Sequence, residues 1–368
     1  MKYNLHINEN MIRGTVLGLL AAAVVLVAAE KTAGWVEETR LPDPLTPGAF
    51  EAPQPFLLWE LPPGKTEVND QWVEINAMGM RGPDVTPHKA PNSRRIVFLG
   101  NNVTFGQGVE LSETFAFDAT QSLGGTRVGV QPVMMAVPDY TALQHLNLMD
   151  MRGWELNPDI VVVGGPGAEM TVQSYVDEDV ISPYRSPTGL RSSLEKLALF
   201  RVFNQNAQVH SGAIAKTRKQ VFIGKQNNNP LGLPRMTTNA YASALNQLVE
   251  SAIARSVQIV FIVLPLPEDL TNSHLNDTVS LYRNAMSVVA DRHGVPIVDG
   301  PTVFTESRRD TGQLFLNGTL LSAAGHRVLG YSLAKTIKPW MRGRKLMRQG
   351  TGEPLSALPE PESASGTQ

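Results

Sequence analysis

From Gly14 to Ala29 the chain runs sixteen residues without a charge (GTVLGLLAAAVVLVAA). A membrane-spanning helix needs about 20 predominantly apolar residues, with about 17 as the short limit. Met11 and Ile12 extend the run, and Arg13 can snorkel its charge to the interface, which brings the segment to that limit. Lys2 and Arg13 precede it, Glu30 and Lys31 follow, and Trp35 stands where an aromatic ring would meet the far interface. A secretory signal peptide fits the same residues, because Val27 and Ala29 end the apolar core in an A-x-A-like pattern. Residues 1–13 form a short cytoplasmic segment in the anchored reading. Both readings put the remainder on the periplasmic or extracellular side, membrane-anchored if residues 14–29 stay and secreted if they are cleaved.

Lys and Arg number 32 against 34 Asp and Glu, a net charge of −2, so the chain lacks the basic excess of a nucleic-acid binder. There is no cysteine, which removes disulfides, thiolate metal sites and a thiol nucleophile. The seven histidines are scattered and none pairs with another at metal-ligand spacing on one helix face. No metal and no cofactor is expected. Residues 30–69 are rich in proline and read as a linker or a strap laid over a domain at 70–345; residues 346–368 read as a disordered tail.

Within the domain, short apolar runs alternate with helix-like stretches. Strands are expected at Arg95–Leu99, Val128–Met135, Ile160–Val163, Gln258–Leu264 and Pro296–Val298. Helices are expected near residues 113–123, 141–154, 240–254, 279–293 and 322–337. This alternation implies an α/β fold, with a parallel sheet covered on both faces. Sites on such sheets sit at the carboxyl ends of the strands.

The blocks between these elements carry a resemblance. Arg94 to Val109 (RRIVFLGNNVTFGQGV) is similar to the first block of the SGNH/GDSL hydrolases, esterases and acetyltransferases with a three-layer flavodoxin-like fold. Ala136 to Gln144 (AVPDYTALQ) resembles their second block and Pro158 to Glu169 (PDIVVVGGPGAE) their third. Tyr282 to Asp299 and Leu314 to Leu333 resemble the closing elements, and Asn76 to Pro83 the lead-in of secreted and membrane-anchored members. The likeness covers roughly residues 70–340.

The resemblance implies a serine nucleophile in a Gly-Asp-Ser turn, and an Asp-x-x-His that supplies the orienting acid and the base. Here the turn reads Gly100-Asn101-Asn102, which puts Asn102 in the serine position and Asn101 in that of its aspartate neighbour. Anchoring on Leu321-Ser322-Ala323-Ala324-Gly325-His326 puts the family aspartate at Asn317 and the histidine at Leu320, which cannot take a proton. The family's oxyanion-hole glycine falls at Asp139 and its asparagine near Ala168, with Glu169 adjoining. No residue of this chain is therefore assigned a catalytic role.

Several side chains remain candidates for binding. Asn101 and Asn102 suit a polar ligand such as a sugar, or simply a capped turn. Asp139 and Glu169 are either a carboxylate pair or independent loop residues, and His326 is either a recruited base or a structural residue. The basic, apolar-interleaved run from Lys335 to Arg348 contains Trp340, Arg342, Arg344 and Lys345, a candidate surface for a membrane or partner. Residues 176–234 match no family block and form an insertion, the usual place for a lid or partner surface. The expected function is a membrane-anchored extracytoplasmic SGNH-like protein, catalytically inactive, that serves an envelope complex as an accessory subunit or binds glycan. The alternative is an active esterase or O-acetyltransferase on envelope carbohydrate using non-standard residues.

Overall fold

The computed structural model describes residues 9–39, 44–46, 49–51, 56–61, 63–68, 71–87, 89–173, 175–181, 184, 199, 232–271 and 277–342. Helix α1 spans Glu9–Thr39. Its stretch Arg13–Trp35, 23 residues, is long and apolar enough to cross a membrane. The helix outruns the apolar segment because Glu30 and Lys31, though charged, are good helix formers. It therefore enters the region read as a linker.

That region holds more structure than its prolines suggest. β1 (Pro44–Thr46), β2 (Ala49–Glu51) and β3 (Trp59–Glu60) form a small antiparallel sheet. β4 (Gly64–Val68) and β5 (Gln71–Ile75) form a hairpin. Leu57, Leu58 and Leu61 are buried, so residues 56–61 are a strap packed on the domain.

The main sheet comprises β6 (Arg94–Leu99), β7 (Val130–Met134), β8 (Ile160–Gly165), β9 (Gln258–Val263) and β10 (Ile297–Asp299). All its ladders are parallel. The order across the sheet is β7-β6-β8-β9-β10. Counted along the chain this is 2-1-3-4-5, the flavodoxin-like order. Every residue of β8 is buried, as a central strand covered on both faces requires.

The helices form two groups. α2 (Asn102–Phe105) is a single turn after β6, and α3 (Phe115–Ser122) follows it. α4 (Ala142–Leu148) is shorter than the sequence suggests, because the chain passes through a π-turn at Met149–Gly153 and a 3-10 turn at Trp154–Leu156. α5 (Asp177–Val180) opens the insertion, α6 spans Thr238–Ala254 and α7 spans Asp277–His293. α8 (Gly300–Glu306), α9 (Thr311–Leu314) and α10 (Ala323–Arg342) complete the chain described. α3 packs with α10, while α4 packs with α6 and α6 with α7. The switch point of this strand order lies between β6 and β8, whose carboxyl ends open the crevice where ligands bind in such sheets.

Candidate functional site

The crevice is built from three turns. The first leaves β6 through Gly100, whose φ of +153° disfavours a side chain and where a Cβ would lie 2.1 Å from Thr104 Oγ1. The chain can thus turn tightly into α2. Asn101 caps that helix, its side-chain oxygen accepting from the Val103 N–H at 3.3 Å. Its amide also lies against Gly167 of the third turn, where any Cβ would collide with Asn101 Nδ2. Asn102 follows, half-buried, with its Oδ1 accepting from the Asp139 N–H at 2.7 Å.

The second turn follows β7. Asp139 has φ +60°, the left-handed region that favours glycine, at the position where the resemblance places one. Two bonds hold it there: its N–H donates to Asn102, and its carbonyl accepts from Arg235 Nη1. Its carboxylate is exposed. His145, one turn into α4, is fully buried and accepts the Gly100 N–H on Nε2 at 3.2 Å. Burial pushes its pKa down to about 4, so the imidazole is neutral.

The third turn is Gly165-Pro166-Gly167-Ala168-Glu169, with a cis Gly165–Pro166 bond. Glu169 is buried, and is neither a solvated loop carboxylate nor one of a free pair with Asp139. The reason is backbone chemistry: Oε1 accepts the Ala142 N–H at 2.9 Å and Oε2 the Gly167 N–H at 2.7 Å, tying the second turn to the third. Burial raises its pKa, and the bonds from these backbone N–H groups partly offset that. Glu169 and Asp139 are not a free pair; Arg235 stands among them. Ala168 is buried and offers no side-chain donor.

Arg235 escaped the sequence reading altogether. Its guanidinium is 2% exposed and forms a two-point pair with Asp177, 0% exposed, at 3.0 Å on both contacts. It donates to Gln144 Oε1 at 2.8 Å, and it lies over the rings of Trp59 and Tyr175. Asp177 also accepts the Thr141 hydroxyl at 2.6 Å. Burial alone would lower the Arg235 pKa; Asp177 beside it holds the value above the ordinary one. Backbone bonds join Asp177 N to Arg235 O and Arg235 N to Thr171 O, so the two stems of the insertion leave the domain side by side. Residues 185–198 and 200–231, the bulk of that insertion, lie outside the described residues.

The other candidates lie elsewhere. His326 is not a ligand-binding residue at the crevice, a correction to its candidacy. It is 0% exposed between α10 and α3, accepts the Phe115 N–H on Nδ1 at 3.1 Å and stacks on the Phe115 ring. Burial first, then Arg81, lowers its pKa to about 3. Asn317 and Leu320 sit in a turn closed by its own backbone bonds, and Asn317 is exposed. Leu316 of that turn packs on Gly108, which places the turn beside the loop leaving α2. Trp340 is half-buried, with part of its ring packed against the core. The side chains of Arg342, Arg344 and Lys345 lie outside the described residues.

Among the described residues the three turns contain no serine, and their one imidazole is the buried His145. Thr141 spends its hydroxyl on Asp177, and Thr104 Oγ1 is buried below the turns with no partner. Among the described residues, Asn102 Nδ2 makes no hydrogen bond and the Asp139 carboxylate is exposed, so an amide and a carboxylate on adjacent turns remain available. Among the described residues no group of acidic or histidine side chains is arranged to hold a metal.

No protein-family model matches the chain, and no curated sequence is similar to it. Solved structures match part of the chain at low sequence identity. One is LAE5, an α/β hydrolase enzyme from the metagenome of Lake Arreo, at 13% identity and a TM-score of 0.45, covering 70% of this chain and 99% of that one. A second is a putative lipolytic protein of the G-D-S-L family from Desulfitobacterium hafniense, at 13% identity and 0.42, covering 66% and 99%. A third is the acetylxylan esterase Axe2 of Geobacillus stearothermophilus, at 13% identity and 0.44, covering 72% and 100%. The strand order read from the sheet itself places this chain in the flavodoxin-like α/β class.

Proposed function

We propose that the protein is a membrane-tethered, extracytoplasmic module on an SGNH-hydrolase-like scaffold that acts by binding and performs no hydrolysis. It serves an envelope complex as an accessory subunit or recognises glycan at the switch-point crevice. One observation carries this reading: the side chain in the serine position is Asn102, and its carboxamide oxygen is committed to the Asp139 backbone. An amide is no nucleophile, and the buried His145 already accepts a backbone hydrogen bond, so nothing at the turn pairs a nucleophile with a base. The remaining polar groups, an amide donor and a carboxylate acceptor on adjacent turns, match neighbouring sugar hydroxyls, which both donate and accept. The tether of α1 favours partners in the same membrane by raising their effective concentration.

The test is turnover of p-nitrophenyl acetate and of an acetylated glycan by the full-length protein. No rate above background is expected, and none that Asn102→Ala alters. Turnover abolished by Asn102→Ala would instead establish an esterase or acyltransferase. Co-purification from detergent-solubilised membranes is expected to recover an envelope partner. Recovery of none, together with no glycan retention on an array, would remove the binding role.

A further inference from the structure

A second site lies away from the crevice. Between the segment 76–85 that follows β5, α3 and β7 is a cavity of about 140 Å³. Val133 and Met134 of β7 form its buried floor, and Val85, Leu111 and Phe117 its half-buried walls. Gln121 and Thr126, both exposed, mark the mouth. A protein interior holds few voids larger than a water molecule. Asn76, Thr120 and Gln131 also line this one, but each already bonds elsewhere: Asn76 to Pro83 O and the Met80 N–H, Thr120 to Ala116 O, and Gln131 to Arg95 Nε, so the surface left to a guest is largely apolar. A cavity of about 150 Å³ with such walls takes a molecule the size of benzene.

The lining also sets the charge of the ligand. Arg81 borders the cavity, but both Nη1 contacts go to the carbonyls of Phe105 and Gly106 at 2.8 Å, and Nη2 donates to Val109 O at 2.7 Å. Its guanidinium also covers the Phe105 ring. The charge is thus spent on the loop after α2, and the mouth offers an uncharged amide and hydroxyl. We propose that this cavity is a binding site for a small neutral molecule with one ring or short branched apolar body and a single polar end. The geometry owes nothing to the crevice residues, so this inference stands whether or not the glycan reading does.

The experiment titrates 4-fluorobenzyl alcohol against the full chain in lipid nanodiscs, read by fluorine NMR, with empty nanodiscs to subtract partitioning into lipid. Saturable binding is expected for the natural protein. Val85→Phe and Leu111→Phe each fill the cavity from a different wall, and either is expected to weaken binding at least tenfold while the protein keeps its cooperative melting. The second variant answers if the first fails to fold. Absence of a saturable component in the natural protein overturns the proposal, as does binding that survives both substitutions. So does stronger binding of 4-fluorobenzoate than of the alcohol, which would make Arg81 an anion anchor and the ligand a carboxylate.

Discussion

The two ends of the parallel sheet are fastened by carboxylates of opposite character. At the amino end Asp159 joins the starting strands: it accepts the Arg95 N–H at 2.7 Å and pairs with Lys89 at 2.7 Å and Arg94 at 3.2 Å. Its cationic partners are partly exposed, so water and salt weaken the pairs. At the carboxyl end Asp177 and Glu169 are enclosed, and their partners are a buried guanidinium and backbone N–H groups. Asp159 is itself buried, so the contrast lies in its partners: its loss leaves Lys89 and Arg94 with access to water. At the enclosed end each removal strands a partner in low dielectric, where an unmatched charge costs far more than the pair ever contributed. Most polar groups of the crevice are thus committed to one another, with Thr104 Oγ1 and Tyr241 Oη buried without partners, while Asn102 Nδ2 and the exposed Asp139 carboxylate are among the groups left for a ligand.

The comparison can be broken most severely at Arg235. Arg235→Met leaves Asp177 buried without its cation and is expected to cost about 3–5 kcal/mol in denaturant unfolding. Adding Asp177→Leu should recover much of that loss, since the stranded charge disappears; a double variant no better than the single would mean that Arg235 stabilises chiefly through its aromatic stacking. Glu169→Gln replaces one of two acceptor oxygens by a donor that faces a backbone N–H. A loss of about 1–3 kcal/mol is expected by the same measurement.

Acid should test the buried imidazoles. His145 and His326 have folded pKa values lowered to about 4 and about 3 from an ordinary 6.5, so the unfolded chain binds more protons between those limits. The stability they support is fully present above pH 6.5 and falls as the pH drops toward 4, by up to about 1.4 kcal/mol per pH unit for each histidine. Glu169, raised by burial, acts in the opposite sense, so the informative quantity is the flattening of the stability curve in His145→Gln and His326→Gln. An unchanged slope in both would show that neither imidazole is held neutral by the fold. The smallest effect belongs to the amino end: Asp159→Asn keeps an acceptor for Arg95 N–H and should cost only about 0.5–1 kcal/mol, diminishing at high salt. A loss as large as that of Arg235→Met would erase the contrast between the two ends.

Much of the scaffold is legible in the sequence. Runs such as RIVFL and IVVV can be buried on both faces only as central parallel strands, and the amphipathic stretches between them can only cover those faces. The hairpin at 64–75 was missed because its alternation hides in a proline-rich region. α8 was missed although Asp299 and Pro301 signal its start. The site was less legible. Asn101 could be read as a cap because capping is local. Arg235 could not be read, since its partner Asp177 is 58 residues away and nothing nearby in sequence marks either as buried. The burial of Glu169 is not legible, because sequence does not tell which backbone N–H groups will lack a strand partner.

The sequence by itself determined the apolar segment, the alternating pattern that forces an α/β sheet, and the identity of the side chain in each turn, Asn102 where the resemblance expects serine included. These depend on composition and on periods of a few residues, which the chain carries in one dimension. Only the tertiary structure decided which polar groups are spent. Asn102 loses its oxygen to Asp139, His145 its Nε2 to Gly100 and Arg235 its charge to Asp177 because folding brings together residues 37, 45 and 58 positions apart and withdraws water from between them.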